Sequence, residues 1–169
     1  MGFFADLEIE NKNEIPIQDE SGINVGNSLA SFLSVFEYYL INGNNSPEFS
    51  WFTLLESKTK TSIRILPEIM YAYNGVLTDE QISEYTSNWQ ANDPITKEEV
   101  IKRLNIEIKW MNIDTVLKSV EEIIRILPTM GEDTFWYVKE NTFPAFKSLL
   151  RVLQIAQSEG GKRVRLHFE

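Results

Sequence analysis

Leu7 and Ile9 alternate with Asp6, Glu8 and Glu10, and a period of two predicts a strand over residues 5–10 with one face buried and the other wet. Ile15 and Ile17 flank Pro16 and continue an extended edge, because proline lacks the donor that a central strand needs. At the far end Val164, Leu166 and Phe168 alternate with Arg163, Arg165 and His167, predicting a closing strand. Between these ends the period lengthens. Leu29, Phe32, Leu33, Phe36 and Leu40 fall at helical spacing behind Asn27 and Ser28 as capping residues, with Gly43 as the stop. Val116, Leu117, Val120, Ile123, Ile124 and Leu127 form an amphipathic helix that begins near Asp114 and ends before Pro128. Phe143, Phe146, Leu149, Leu150, Leu153 and Ala156 form another, which stops at Gly160-Gly161.

The remaining segments carry local signals. Ser46-Pro47-Glu48 is a helix start, with a hydroxyl cap, proline at the first helical position and an acid in the first turn, so residues 47–57 read as helix. Residues 63–73 have a helical pattern interrupted by Pro67 and ended by Asn74-Gly75. Thr78 with Gln81 and Thr96 with Glu99 have capping-box spacing, placing helix starts near 79 and 97. Residues 104–111 fit both periods and are read as helix, whereas the aromatic and β-branched run 134–139 reads as strand. The pentapeptide Ile-Arg-Ile-Leu-Pro occurs at 63–67 and 124–128, but the flanking residues do not match and no duplication is inferred. The expected architecture is an α+β domain, mainly helical, with a small antiparallel sheet that includes the N- and C-terminal strands. Residues 1–169 are of a length for one domain.

Composition narrows the function classes. No apolar run approaches the roughly 18 residues of a membrane span, and Met1-Gly2-Phe3-Phe4-Ala5-Asp6 lacks the basic and apolar regions of a signal peptide. The chain has no cysteine, which removes disulfides and thiolate chemistry and fits a reducing cytoplasmic setting. The net charge of −9 opposes binding to nucleic acid or anionic membranes. That charge is concentrated: residues 1–57 hold nine acids against the single base Lys12, and the remaining residues hold 16 acids and 15 bases.

Candidate chemistry is sparse. His167 is the only histidine, so common zinc sites and histidine-based triads lack their usual partners, and it reads as a surface residue on a strand. The adjacent pairs Glu98-Glu99, Glu121-Glu122 and Glu132-Asp133 diverge on helices and read as solvated faces. No phosphate-binding glycine loop and no nucleophile elbow is present. Neither a catalytic residue nor a metal or cofactor is therefore expected. Lys162, Arg163 and Arg165 form the one basic cluster, and if the terminal strands pair, Arg163 and Arg165 lie opposite Asp6, Glu8 or Glu10. The acids left over for a partner are Glu14, Asp19 and Glu20, in an expected loop, and Glu48. Of four tryptophans, Trp51 and Trp89 fall off the apolar stripes and are the interface candidates, with core packing the competing role.

The start Gly2-Phe3-Phe4-Ala5-Asp6-Leu7, the segment Ser28-Leu29-Ala30-Ser31-Phe32-Leu33 and the strand-bearing end 146–168 together resemble small bacterial immunity proteins of polymorphic or contact-dependent toxin systems. The resemblance implies a non-enzymatic protein that neutralises one cognate protein toxin, often by covering a basic surface with acids. The acidic first third agrees independently. Two other classes stay open at this point: an enzyme or small-molecule binder with a dispersed site, and an adaptor subunit of a larger complex.

Overall fold

The computed structural model describes residues 3–42, 49–71, 110–131 and 139–168. Strand β1 (Ala5–Ile9) carries the alternation into space: Ala5, Leu7 and Ile9 are buried in the core. The chain then turns at Asn11, whose φ of 62° is tolerated by asparagine, and returns as the edge strand β2 (Ile15–Pro16). Pro16 faces Asp6 across this antiparallel pair.

Helix α1 (Gly26–Asn42) buries Leu29, Phe32, Leu33, Phe36 and Tyr39. It starts before the expected caps, and Asn27 and Ser28 lie inside its first turn. Asn24 takes the capping role instead, its Oδ1 accepting from Gly26 N at 2.9 Å. The same oxygen accepts from Ala5 N at 2.8 Å, Asn24 Nδ2 donates to Ala5 O at 3.0 Å, and Asn27 Oδ1 accepts from Phe3 N at 2.7 Å. The helix start is thus sewn to the start of β1. Only glycine fits at 26, because an added Cβ would stand 2.3 Å from Phe3 O.

Helix α2 (Ser50–Lys58) buries Phe52 and Leu55, and its predicted start, Ser46-Pro47-Glu48, lies outside the described residues, as does Gly43. The 63–73 segment is not one helix. It forms the short helix α3 (Ile65–Glu68) and then strand β3 (Met70–Tyr71). Pro67 is accommodated because a four-residue helix has no interior: its first amides lack intrahelical acceptors anyway. The helix starts predicted near 79 and 97 lie outside the described residues. So does most of 104–111, but at its end strand β4 (Met111–Asn112) replaces the expected helix.

Helix α4 (Ile113–Ile126) is the amphipathic helix read from sequence, capped by the Asn112 side chain, which accepts from Asp114 N and Thr115 N. Pro128 falls in a closing 3-10 turn, Leu127–Thr129. Helix α5 (Lys139–Ser158) begins earlier than its apolar stripe, so Lys139 is helical where a strand was expected; residues 134–138 lie outside the described set. It ends in a Schellman motif: Gly161 N donates to Ala156 O, Gly160 N donates to Gln157 O, and Gly160 takes φ of 84°.

Strand β5 (Arg163–Phe168) is the centre of the sheet. Along one edge it pairs antiparallel with β1, in the register Ala5 with Phe168, Leu7 with Leu166 and Ile9 with Val164. Its other edge is shared by β4, antiparallel at Val164, and by β3, parallel at Leu166. The adjacency of the terminal strands is as the alternation predicts. Helix α5 packs against both α1 and α4, and α1 and α5 reach β1, so the chain is a mainly helical α+β fold whose helices cover one sheet face. No helix among the described residues is long and apolar enough to cross a membrane.

The C-terminal end of α2 is held from two sides. Arg64 bonds Glu56 through Nε at 2.7 Å, while Arg125 bonds both Glu122 and the Lys58 carbonyl. The second arginine of the repeated pentapeptide therefore serves the same helix end as the first. Glu122 also accepts from Lys60 N at 2.6 Å. The hydrogen bond from Arg125, then that from Lys60 N, lowers the Glu122 carboxyl to about 2. A carboxyl depressed on folding contributes stability that is complete above pH about 4.5 and is lost as pH falls through about 2. Because Arg125 is half exposed, solvent screening limits this contribution to about 1 kcal/mol. The variant Glu122→Gln is expected to lose that amount at pH 7 and to show a flatter loss of stability between pH 4.5 and 2, read by urea denaturation at stepped pH. Parallel profiles of the two proteins would contradict this role.

Candidate functional site

The alternation that buries Leu7 and Leu166 turns Asp6, Glu8, Glu10, Arg163, Arg165 and His167 to the opposite face of the sheet. Two ion pairs cross the ladder there. Arg163 binds Glu10 through Nε and Nη2, and Arg165 binds Glu8. The first pair is exposed, whereas the side chains of the second are only 11% and 10% exposed. The Trp110 ring covers the Arg165 guanidinium at 4.2 Å from its centroid. This cover explains how a charged face becomes a partly buried one. The basic cluster thus has the structural role that strand pairing implies for Arg163 and Arg165.

His167 stands directly opposite Asp6 in the ladder. It is not the surface residue expected from sequence, for its side chain is 11% exposed. Nδ1 is sealed from solvent and has no hydrogen-bond partner among the described residues; Glu8 Oε1, at 3.9 Å, is beyond hydrogen-bond range. Glu14 joins from the edge of the sheet, just ahead of β2. One ligand atom from each of Asp6, Glu14 and His167 lies within 4.8 Å of the other two. Sequence reasoning missed this group because its members stand at positions 6, 14 and 167, and only strand register brings the first and last together.

Beyond β2 the chain makes an excursion that α1 closes. Ile17 N donates to Ala5 O, Val25 N donates to Ile17 O, and Gln18 and Asn24 form an isolated antiparallel bridge. At the tip, Asp19 Oδ1 accepts from Ser21 N at 2.8 Å and Ile23 N at 2.9 Å, an Asx-type turn. From outside, Arg151 of α5 donates to Gln18 O. An open cleft of about 490 Å³ separates this tip from α5, lined by Asp19, Glu20 and Ser21 on one side and by Phe143, Lys147 and Arg151 on the other.

The partner-binding candidates therefore part company. Glu14 and Glu20 are exposed and form no ion pair among the described residues. Asp19 is half-buried and its carboxylate caps its own loop, so it is not the free acid expected. Trp51 is half-buried against the core, edge-on to Phe52 at 5.1 Å and to Phe32 at 6.2 Å, with Nε1 donating to Gly131 O at 3.4 Å. Glu48 and Trp89 lie outside the described residues. Glu122 is engaged by Arg125 and Lys60, whereas Glu121 beside it is a solvated residue as read.

No protein-family model, no curated protein and no solved structure matches this chain.

Proposed function

We propose that the chain is a non-enzymatic binding protein of the immunity type, which uses acids of its N-terminal third to cover a basic surface on a cognate protein toxin. One observation carries the reading: Glu20 is exposed at the tip of a loop held in place by Asp19, Asn24 and Arg151. A carboxylate presented by a preorganised loop loses little conformational freedom on binding, so more of its interaction energy appears as affinity. The local charge favours a basic partner, since the ladder acids Glu8 and Glu10 are already matched within the fold and Glu20 forms no ion pair among the described residues. The adjoining cleft gives a partner side chain a recess, and Lys147 and Arg151 on its far wall restrict which partners are accepted.

Glu20→Lys is the informative variant. Asp19→Lys would dismantle the turn as well as reverse a charge. The immobilised full chain is used to capture its partner from cells that express it, and the purified partner is then titrated against wild type and Glu20→Lys at low and high salt. The expected result is a basic partner whose association slows about tenfold at low salt in the variant, with the gap narrowing at high salt. Thermal unfolding should be unchanged, because exposed loop substitutions alter stability by no more than about 0.5 kcal/mol. Equal rates at both salt concentrations, or a partner with an acidic binding surface, would overturn the proposal.

A further inference from the structure

Burying a polar atom without a hydrogen bond is unfavourable, and native folds leave few such atoms. His167 Nδ1 is one of them. The ring to which it belongs stands among the carboxylates of Asp6 and Glu14, with the ligand atoms of all three residues within 4.8 Å, and Glu8 Oε1 adds a further negative charge 3.9 Å from Nδ1. We propose that Asp6, Glu14 and His167 form a binding site for one divalent transition-metal cation, held by two carboxylate oxygens and one imidazole nitrogen.

The donor set selects the class of ion. Two carboxylates carry two negative charges, which match a dication. Imidazole suits zinc and other borderline transition metals, whereas an all-oxygen site would suit magnesium or calcium. Zinc bonds to oxygen and nitrogen of about 2.0–2.2 Å place two ligands of one ion no more than about 4.4 Å apart. The present spacing therefore closes around an ion with a small side-chain adjustment. Glu14 is the exposed member and can supply it, while Asp6 and His167 are fixed across the ladder. Three protein ligands leave coordination positions for water. Surrounding charges are already organised, since Arg165 binds Glu8 and Trp110 covers Arg165. A cation here would join β1, the edge leading into β2, and β5, clasping the two ends of the described chain. The site also removes Glu14 from the acids free to meet a protein partner, which is why Glu20 alone tests that role.

A single histidine makes the test specific, because every imidazole signal in the NMR spectrum reports on this site. The full chain, stripped with chelator, is titrated calorimetrically with zinc chloride and separately with manganese chloride, and the imidazole nitrogens are followed by ¹H–¹⁵N correlation during the zinc titration. Saturation at one equivalent per chain is expected, with a shift of one imidazole nitrogen by zinc and broadening of the imidazole signals by manganese. Loss of one ligand in Glu14→Gln should weaken binding about tenfold or more, and His167→Gln should abolish it. Glu14→Gln alters an exposed side chain and so keeps the test valid if the histidine variant does not fold. Glu37→Gln, an exposed acid on α1, should bind as wild type. The proposal is overturned by absence of saturable binding up to millimolar metal, by unperturbed imidazole signals, or by equal affinity in wild type and Glu14→Gln.

Discussion

Replacing Arg165 by methionine is expected to destabilise the fold by about 3–5 kcal/mol, because it strips the buried Glu8 carboxylate of its guanidinium partner. Both side chains of the pair are about nine-tenths buried, so water cannot take over the role of the guanidinium. The stem of methionine preserves much of the contact beneath Trp110, and the loss therefore reports charge more than packing. The asymmetry between breaking a buried pair and replacing it gives the control. Glu8→Gln combined with Arg165→Met removes both charges and should recover more than half of the lost stability. Urea denaturation of wild type, the single variant and the double variant provides the comparison. If Arg165→Met unfolds at the wild-type midpoint, the pair does not hold the terminal strands together.

Truncation of Phe32 to alanine should cost about as much, 3–5 kcal/mol, for a different reason. Phe32 is fully buried where α1, α2 and α5 meet. Its ring lies 5.1 Å from Phe146 in a T-shaped contact, 5.8 Å from Phe52 and 6.2 Å from both Phe36 and Trp51. Aromatic neighbours on three helices cannot all close into the space left by one ring, so much of the cavity persists, and the cost grows with its volume. Each lost edge-on contact adds about 0.5–1.5 kcal/mol beyond area burial. Phe32→Leu should retain most of the stability. Phe3→Ala, on a ring that is 55% exposed, should stay within about 0.5 kcal/mol of wild type. Equal melting of Phe32→Ala and Phe3→Ala would sink this account of the core.

The long-range feature of the fold was legible and several local ones were not. Alternation in β1 and β5 with opposite charges on their polar faces leads to the antiparallel pair and to both cross-strand ion pairs, since period and charge act in the same direction there. Helix α4 was legible for a similar reason: the start near Asp114, a continuous apolar stripe and the stop before Pro128 agree. Strands β3 and β4 are two residues each, too short to show a period, and the apolar residues beside them fit a helix equally well. Their pairing is imposed by the free edge of β5. The start of α1 was missed because Asn27, a good cap by type, uses its side chain on Phe3. In the candidate site, Glu14 and Glu20 were legible as exposed acids. The buried histidine was not, because a strand's second face is ordinarily wet and nothing local reveals that Trp110 covers this one.

Placing β5 at the centre of the sheet also dictates an order of events during synthesis. Glu8 and Arg165 are 157 positions apart, and β1, β3 and β4 all hydrogen-bond to β5. Helices α1 and α4 can form from local contacts as they emerge from the ribosome, but β1 waits without its main partner until residues 163–168 are released. Closing so long a loop carries a large entropic barrier, which slows folding relative to a helical bundle of the same size. Until then an apolar strand with unpaired amides is exposed to other chains. The acids that alternate along β1 give that waiting strand its charge, and like charges on neighbouring nascent chains oppose their premature pairing.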